Sequence, residues 1–182
     1  MAKPEEHELK VMLTKEQFET LLHAYDFPIL LEQINTYYDT PKGAVKDLPG
    51  AVRIRRVDGK DIFTFKQRKD SQTQYELEKE IPVGSLDQIE DPEILGWLQE
   101  AGIDVKVLKP ITTFTTWRHM IKTENAEICL DKTVYPHKTD YEIEYEYKKD
   151  HDGLSAFNQF LKPAGIIYEK NGPSKIARAF TH

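Results

Sequence analysis

The chain has 182 residues, 39% of them hydrophobic and 31% charged, which suits one globular domain spanning 1–182 and excludes a disordered chain. A formal net charge of −6, from 31 acidic and 25 basic residues, speaks against general attraction to nucleic acid or to an anionic membrane, so any bound anion must meet a local basic cluster. The N-terminus has no signal-peptide run, no segment nears the roughly 20 apolar residues of a membrane span, and the lone Cys129 offers neither a disulfide nor a paired zinc site; a cytoplasmic protein is expected.

In chain order, EHELKVM (6–12) alternates as a strand, and TKEQFETLLHAYD (14–26) reads as a helix capped by Thr14, with Phe18, Leu21, Leu22 and Tyr25 at helical spacing. INTYYDT (34–40), AVRIRRV (51–57), DIFTFKQR (61–68) and TQYELEKEI (73–81) follow as strands. Turn signals at Pro41–Gly43, Pro49–Gly50 and Asp58–Gly59 and the polar Lys69–Gln72 segment separate them. A helical region is expected from Ser85 to Ala101, broken near Asp91–Pro92 and ended by Gly102. TTFTTWRHMI (112–121), NAEICLD (125–131) and DYEIEYEY (140–147) alternate again, and a helix over Gly153–Leu161 stops before Pro163. The tail, 168–180, has too few apolar repeats to classify. Eight or so antiparallel strands with two or three helices make an α+β fold, and alternation sustained through so many strands predicts an antiparallel β-barrel with helices packed outside.

Each strand has one apolar and one charged face. Val52 and Ile54 alternate with Arg53 and Arg55; Tyr141, Ile143 and Tyr145 alternate with Glu142, Glu144 and Glu146. A solvated outer face or a charged lumen would both give this pattern. Clustering by sign favours the lumen: Glu76, Glu78 and Glu80 share one face and Glu142, Glu144 and Glu146 another, while Arg53 with Arg55, and Lys66 with Arg68, form basic rows. Like charges in an enclosed low-dielectric space repel, and a bound partner of both signs relieves them. Carboxylates suit hard divalent cations, and Arg and Lys suit phosphate oxygens, so the two rows together describe a metal–polyphosphate site. In EHELK (6–10), Glu6, Glu8 and Lys10 share a face at about 7 Å intervals.

EHELK, with TYYDTP (36–41), VRIRR (52–56), FTFKQR (63–68), YELEKEI (75–81), TWRHM (116–120), YEIEYE (141–146) and SKIAR (174–178) in that order, resembles the CYTH domain or triphosphate tunnel metalloenzyme family over residues 5 to 180. The family includes thiamine triphosphatases, inorganic tripolyphosphatases and class IV adenylate cyclases. The resemblance implies an eight-stranded antiparallel tunnel with helices outside and a triphosphate inside. It implies triphosphate contacts at Lys10, Arg53, Arg55, Lys66, Arg118, Lys175 and Arg178, and metal ligands for two Mg2+ or Mn2+ ions at Glu6, Glu8, Asp131, Glu142 and Glu144. Glu76 and Glu78 match a supporting acidic strand of the tunnel wall. Tyr37 reads either as a packed tyrosine or as a polar tunnel residue beside Lys66 near the reacting phosphate, and Lys66, Tyr37 and Arg118 are the candidate catalytic groups. By alternation His7 and His119 fall on the outer face; Trp97 and Trp117 are expected in the core, and Cys129 buried and inert.

The implied activity is metal-dependent hydrolysis of the terminal phosphoanhydride of tripolyphosphate or of a small organic triphosphate such as thiamine triphosphate or a nucleoside triphosphate. An adenylate cyclase, releasing pyrophosphate from ATP, would use the same tunnel. A non-catalytic polyphosphate-binding module is disfavoured, because an anion alone does not call for so many carboxylates.

Overall fold

The computed structural model describes residues 3–82 and 86–181, so the expected helix start at Ser85 lies outside the described residues. Strand β1 (Glu5–Leu13) leads into helix α1 (Lys15–Ala24), whose start is a reciprocal cap: the Gln17 N–H donates to Thr14 Oγ1 at 3.1 Å and the Thr14 N–H to Gln17 Oε1 at 2.9 Å. Strand β2 (Ile29–Asp39) begins five residues before the expected Ile34. The reason is physical. Its outer face is uncovered, leaving Leu30 62% and Ile34 39% exposed, while the inner face carries buried Gln33 and Asn35, which inverts the usual polarity cue.

The Pro41–Gly43 signal precedes a short unexpected helix, α2 (Ala44–Asp47), because the Asp39 carboxylate accepts from the Val45 N–H at 2.8 Å and the Lys46 N–H at 3.2 Å. Strands β3 (Gly50–Val57) and β4 (Lys60–Arg68) form a hairpin whose turn residues Asp58 and Gly59 have φ of +52° and +73°, the type I′ arrangement that matches strand twist. After β5 (Thr73–Ile81) comes a 3-10 turn, Leu86–Gln88, and then α3 (Pro92–Glu100). The expected break is real: Asp91 caps α3 through the Glu93 and Ile94 N–H groups, with Pro92 at its first position. Strands β6 (Lys109–Lys122), β7 (Ala126–Val134) and β8 (Thr139–Tyr147) follow, then α4 (Gly153–Leu161) and, in the unclassified tail, α5 (Lys175–Ala179) capped by Ser174.

The strands close into an antiparallel barrel in the order β1-β5-β4-β3-β2-β6-β7-β8, with β8 pairing back onto β1. Two apolar cores lie outside it. Val52, Ile54, Phe63, Phe65 and Leu77 pack under Ile94 and Leu98 of α3. Leu9, Leu130 and Ile143 pack under Leu21 of α1 and Phe157 and Leu161 of α4. Since the apolar residues of each strand face these helices, the alternating charged residues face the lumen. Tyr37, Phe114 and Tyr135 gather against Ala179, so the tail helix stands at one end of that lumen.

Trp97 packs half-buried against the first core. Trp117 departs from expectation: it is half-buried on the outer wall beneath Lys132, whose Nζ lies 6.0 Å from the ring centroid, and among the described residues no helix covers this part of β6. His7 stacks on Tyr147 at 4.0 Å, and His119 lies 6.1 Å from Phe18, both outside the lumen as alternation predicts. Among the described residues no helix is long and apolar enough to cross a membrane.

Candidate active site

Strand β3 supplies the basic wall. Its register sets Arg53 opposite Tyr37 of β2 and Thr64 of β4, and Arg55 opposite Asn35. Arg53 donates to Thr64 Oγ1 at 3.0 Å and is 3.9 Å from the Glu78 carboxylate; Glu78, with its side chain 49% exposed, stands nearer solvent than the rest of the acidic wall. Arg55 donates from Nε to Asn35 Oδ1 at 2.7 Å, and among the described residues it has no ion pair. Burial, and then the neighbouring Arg53 and Arg118 cations, pull the Arg55 guanidinium down to about 9, still protonated at neutral pH. The Tyr37 ring stacks on Phe114 at 5.2 Å, so its packing role is real. Its phenol also faces the cations: burial favours the neutral form, but Arg53, Arg55 and Lys66 outweigh it and hold the group below its ordinary value.

Across the lumen the acids come from β1, β5, β7 and β8. Lys66 of β4 bridges Glu6 at 3.1 Å and Glu76 at 3.3 Å. Lys10 lies 3.2 Å from Glu8. Burial pushes the Glu8 carboxyl up to about 7, with Glu144 adding to the effect and Lys10 opposing it; burial likewise raises Glu6 against the pull of Lys66. The β6–β7 register sets Arg118 opposite Asp131, and the pair is bidentate, Nε to Oδ1 at 2.9 Å and NH2 to Oδ2 at 2.8 Å, with Glu144 3.4 Å away.

Asp131, Glu142 and Glu144 place carboxylate oxygens within 4.8 Å of one another. Lys175 reaches in from α5: its Nζ is 2.8 Å from Asp131 and 2.8 Å from Glu144, and it also contacts Glu142. Burial opposes ionisation at Asp131 and Glu144, but Lys175 with Arg118 at the first, and Lys175 with Lys10 at the second, lower both groups below their ordinary range; Glu142 is raised by its burial and by Glu144. An all-oxygen trio that already surrounds an ammonium group fits a hard cation.

The lumen thus brings together Lys10, Arg53, Arg55, Lys66, Arg118 and Lys175 with Glu6, Glu8, Glu76, Asp131, Glu142 and Glu144. Arg178 has a different setting. It pairs with Asp140 at 2.9 Å and Glu142 at 3.0 Å and donates to the Pro173 carbonyl at 2.7 Å, which braces the tail. Cys129 is buried, as expected, but on the lumen face, opposite Glu144 and Met120 in register; burial pushes its thiol well above the ordinary value, so it stays neutral.

Sequence reasoning left out several groups at the site. Alternation puts Glu146 in the acidic lumen row with Glu142 and Glu144 but gives it no part in the site; its carboxyl is pushed up to about 7 by burial and then by Glu6. Asn35 and Thr64, which hold the two arginines, also lay in plain alternation with Tyr37 and Lys66. Asp140, the partner of Arg178, carried no signal before the tail was placed.

Comparison with known proteins agrees with this geometry. The CYTH domain family matches residues 4–180. A Bacillus subtilis (strain 168) protein named "Putative triphosphatase YjbK" is 31% identical over 185 residues, 99% of this chain and 96% of that protein. A crystal structure from Bacillus halodurans, described as a putative adenylate cyclase, is 28% identical, covers 100% of both chains and superposes with a TM-score of 0.86. HpAC1 from Hippeastrum, described as a putative adenylyl cyclase with a dominant triphosphatase activity, is 25% identical over 96% of this chain and 94% of that one, with a TM-score of 0.78. With a closed eight-stranded antiparallel barrel and a family match over nearly its whole length, this chain belongs to the CYTH domain family.

Proposed function

We propose that this protein is a metal-dependent triphosphatase that hydrolyses the terminal phosphoanhydride of tripolyphosphate or of a small organic triphosphate. The observation that carries the reading is Arg55: a lumen guanidinium beside two other guanidinium groups that donates to Asn35 and, among the described residues, forms no ion pair with a carboxylate. A cation left in that state needs an anion from outside the chain. The names of the Bacillus subtilis and Hippeastrum relatives support hydrolysis as the reaction.

In this reading Arg53, Arg55 and Arg118 hold the nonbridging oxygens of the triphosphate and disperse the charge that grows during phosphoryl transfer, with Lys66 beside them on the neighbouring strand β4, Lys10 across the lumen on β1 and Lys175 at the tail end. Tyr37, held against Arg53, orients the reacting phosphoryl group. Glu6, Glu8, Asp131, Glu142 and Glu144 would hold one or two Mg2+ or Mn2+ ions, which supply charge neutralisation and a more acidic water. Glu76 and Glu78 aim Lys66 and Arg53.

The test is a panel of tripolyphosphate, thiamine triphosphate and ATP, each with Mg2+, with Mn2+ and with a chelator, and with products identified. Metal-dependent orthophosphate release supports the proposal. Cyclic AMP and pyrophosphate from ATP would replace it with a cyclase, and tight binding without turnover would replace it with a binding module.

A further inference from the structure

The seam between β1 and β5 is short. Ladder pairing runs from Glu5↔Tyr75 to His7↔Thr73, and one more backbone bond, from the Glu8 N–H to the Gln72 carbonyl at 2.9 Å, extends it. Beyond that point the chain has turned back toward β4, yet the Glu8 carbonyl and the Lys10 N–H still face the seam. An unpaired backbone group in such a place costs about 1–3 kcal/mol.

Asn171, in the tail between Tyr168 and α5, fills the gap. Its Nδ2 donates to the Glu8 carbonyl at 2.9 Å and to the Ser71 carbonyl at 3.1 Å. Its Oδ1 accepts from the Lys10 N–H at 2.8 Å and from the Tyr168 hydroxyl at 2.9 Å. Both donors and both acceptor positions of the amide are therefore used. The Tyr168 hydroxyl in turn accepts from Gln72 Nε2 at 3.0 Å, which ties the arrangement to the β4–β5 turn.

We infer that Asn171 is a positioning residue: its amide acts as a one-residue substitute strand that fixes the main chain of Glu8 and Lys10, and so the aim of both side chains into the lumen. Four residues later the same tail segment delivers Lys175 to the acidic trio, so one amide registers β1 against the tail. The inference rests on the function proposed above and adds to it a residue that touches neither substrate nor metal.

The decisive variant is Asn171→Asp. It is nearly isosteric and keeps an oxygen for the Lys10 N–H, but it turns a second oxygen toward the Glu8 and Ser71 carbonyls. By charge alone it would tighten cation binding to the acidic lumen; by loss of position it weakens it. Mn2+ binding, measured by calorimetry on wild type, Asn171→Asp and Asn171→Ala, is expected to weaken about 10–100-fold in both variants. In metal-free protein, hydrogen exchange at the Lys10 amide is expected to speed up by about tenfold in Asn171→Ala. If Asn171→Ala does not fold, Tyr168→Phe removes one of the four bonds and gives a smaller loss of Mn2+ affinity in the same direction. Folded variants with wild-type affinity, or Asn171→Asp binding Mn2+ more tightly than wild type, would overturn the inference while leaving the proposed function standing. A wild-type protein that binds neither Mn2+ nor tripolyphosphate would overturn both.

Discussion

Lys175 Nζ stands 2.8 Å from Asp131 Oδ2, inside a carboxylate trio all three members of which it contacts, whereas Arg178 from the same helix reaches only Glu142 of them. The ammonium group balances three buried acids drawn from two neighbouring strands. It makes the tail part of the tunnel's electrostatics as well as of its packing.

Replacing Lys175 with Met removes that balance and leaves like charges facing one another. The metal-free variant is expected to lose about 3–5 kcal/mol of stability at pH 7, the usual cost of stripping one partner from a buried ion pair. Thermal melts with and without Mn2+ check the second half of the expectation: Mn2+ raises the melting temperature of Lys175→Met more than that of wild type. Equal shifts would take Asp131, Glu142 and Glu144 out of the cation site.

The acid row also sets a pH dependence. Glu8 is pushed up to about 7 from an ordinary value of 4.5, so the folded protein binds a proton there more tightly than the unfolded chain does. Its effect is nil well below pH 4.5 and becomes a growing penalty as pH rises to 7, at most about 3 kcal/mol. In chelator, wild type is expected to lose stability from pH 5 to pH 8, and Glu8→Gln to lose less. Denaturant melts across that range measure the difference, and parallel curves would contradict it.

The alternating rows were legible because a barrel with apolar helices outside and charges inside obeys a period of two on both faces, as in VRIRR and YEIEYE. That cue fails where one face changes character. Leu30 and Ile34 face solvent and Gln33 and Asn35 face inward, so the first half of β2 was hidden. Helix α5 is hidden for a related reason: two of its three buried residues, Lys175 and Arg178, are charged and drawn inward by acids on β7 and β8, with Ala179 the third, and only five residues form it. The sequence could name the bases and acids but not pair them. Lys66 with Glu6, and Lys175 with Asp131, meet only once the barrel closes.

Arg55 carries the anion claim. Arg55→Met keeps the stem and removes the charge, so it relieves repulsion from Arg53 and Arg118 while leaving Asn35 Oδ1 without its donor. These effects oppose each other, at about 1–3 kcal/mol for the orphaned acceptor. The melting temperature without ligand is therefore expected to change little, while tripolyphosphate binding weakens by about tenfold or more, since a hydrogen bond to a charged group contributes about 1.5–3 kcal/mol. Calorimetry with tripolyphosphate checks the binding; an unfolded variant would make Arg55 structural.

Tyr37 separates packing from chemistry. In Tyr37→Phe the ring keeps its place on Phe114, so stability without ligand is expected to hold. Turnover of tripolyphosphate is expected to fall by about tenfold, roughly the loss of one charge-assisted hydrogen bond to the reacting group. Steady-state rates at saturating metal measure it, and an unchanged kcat would leave Tyr37 a packing residue alone.

The central claim is that the enclosed charged lumen is where a triphosphate and a divalent cation meet. A crystal structure of the protein soaked with tripolyphosphate and Mn2+ tests it most directly. The account predicts phosphate density against Arg53, Arg55 and Arg118 and an anomalous Mn2+ signal among the lumen carboxylates. Phosphate and Mn2+ found only on the outer wall, with the lumen unchanged, would contradict it.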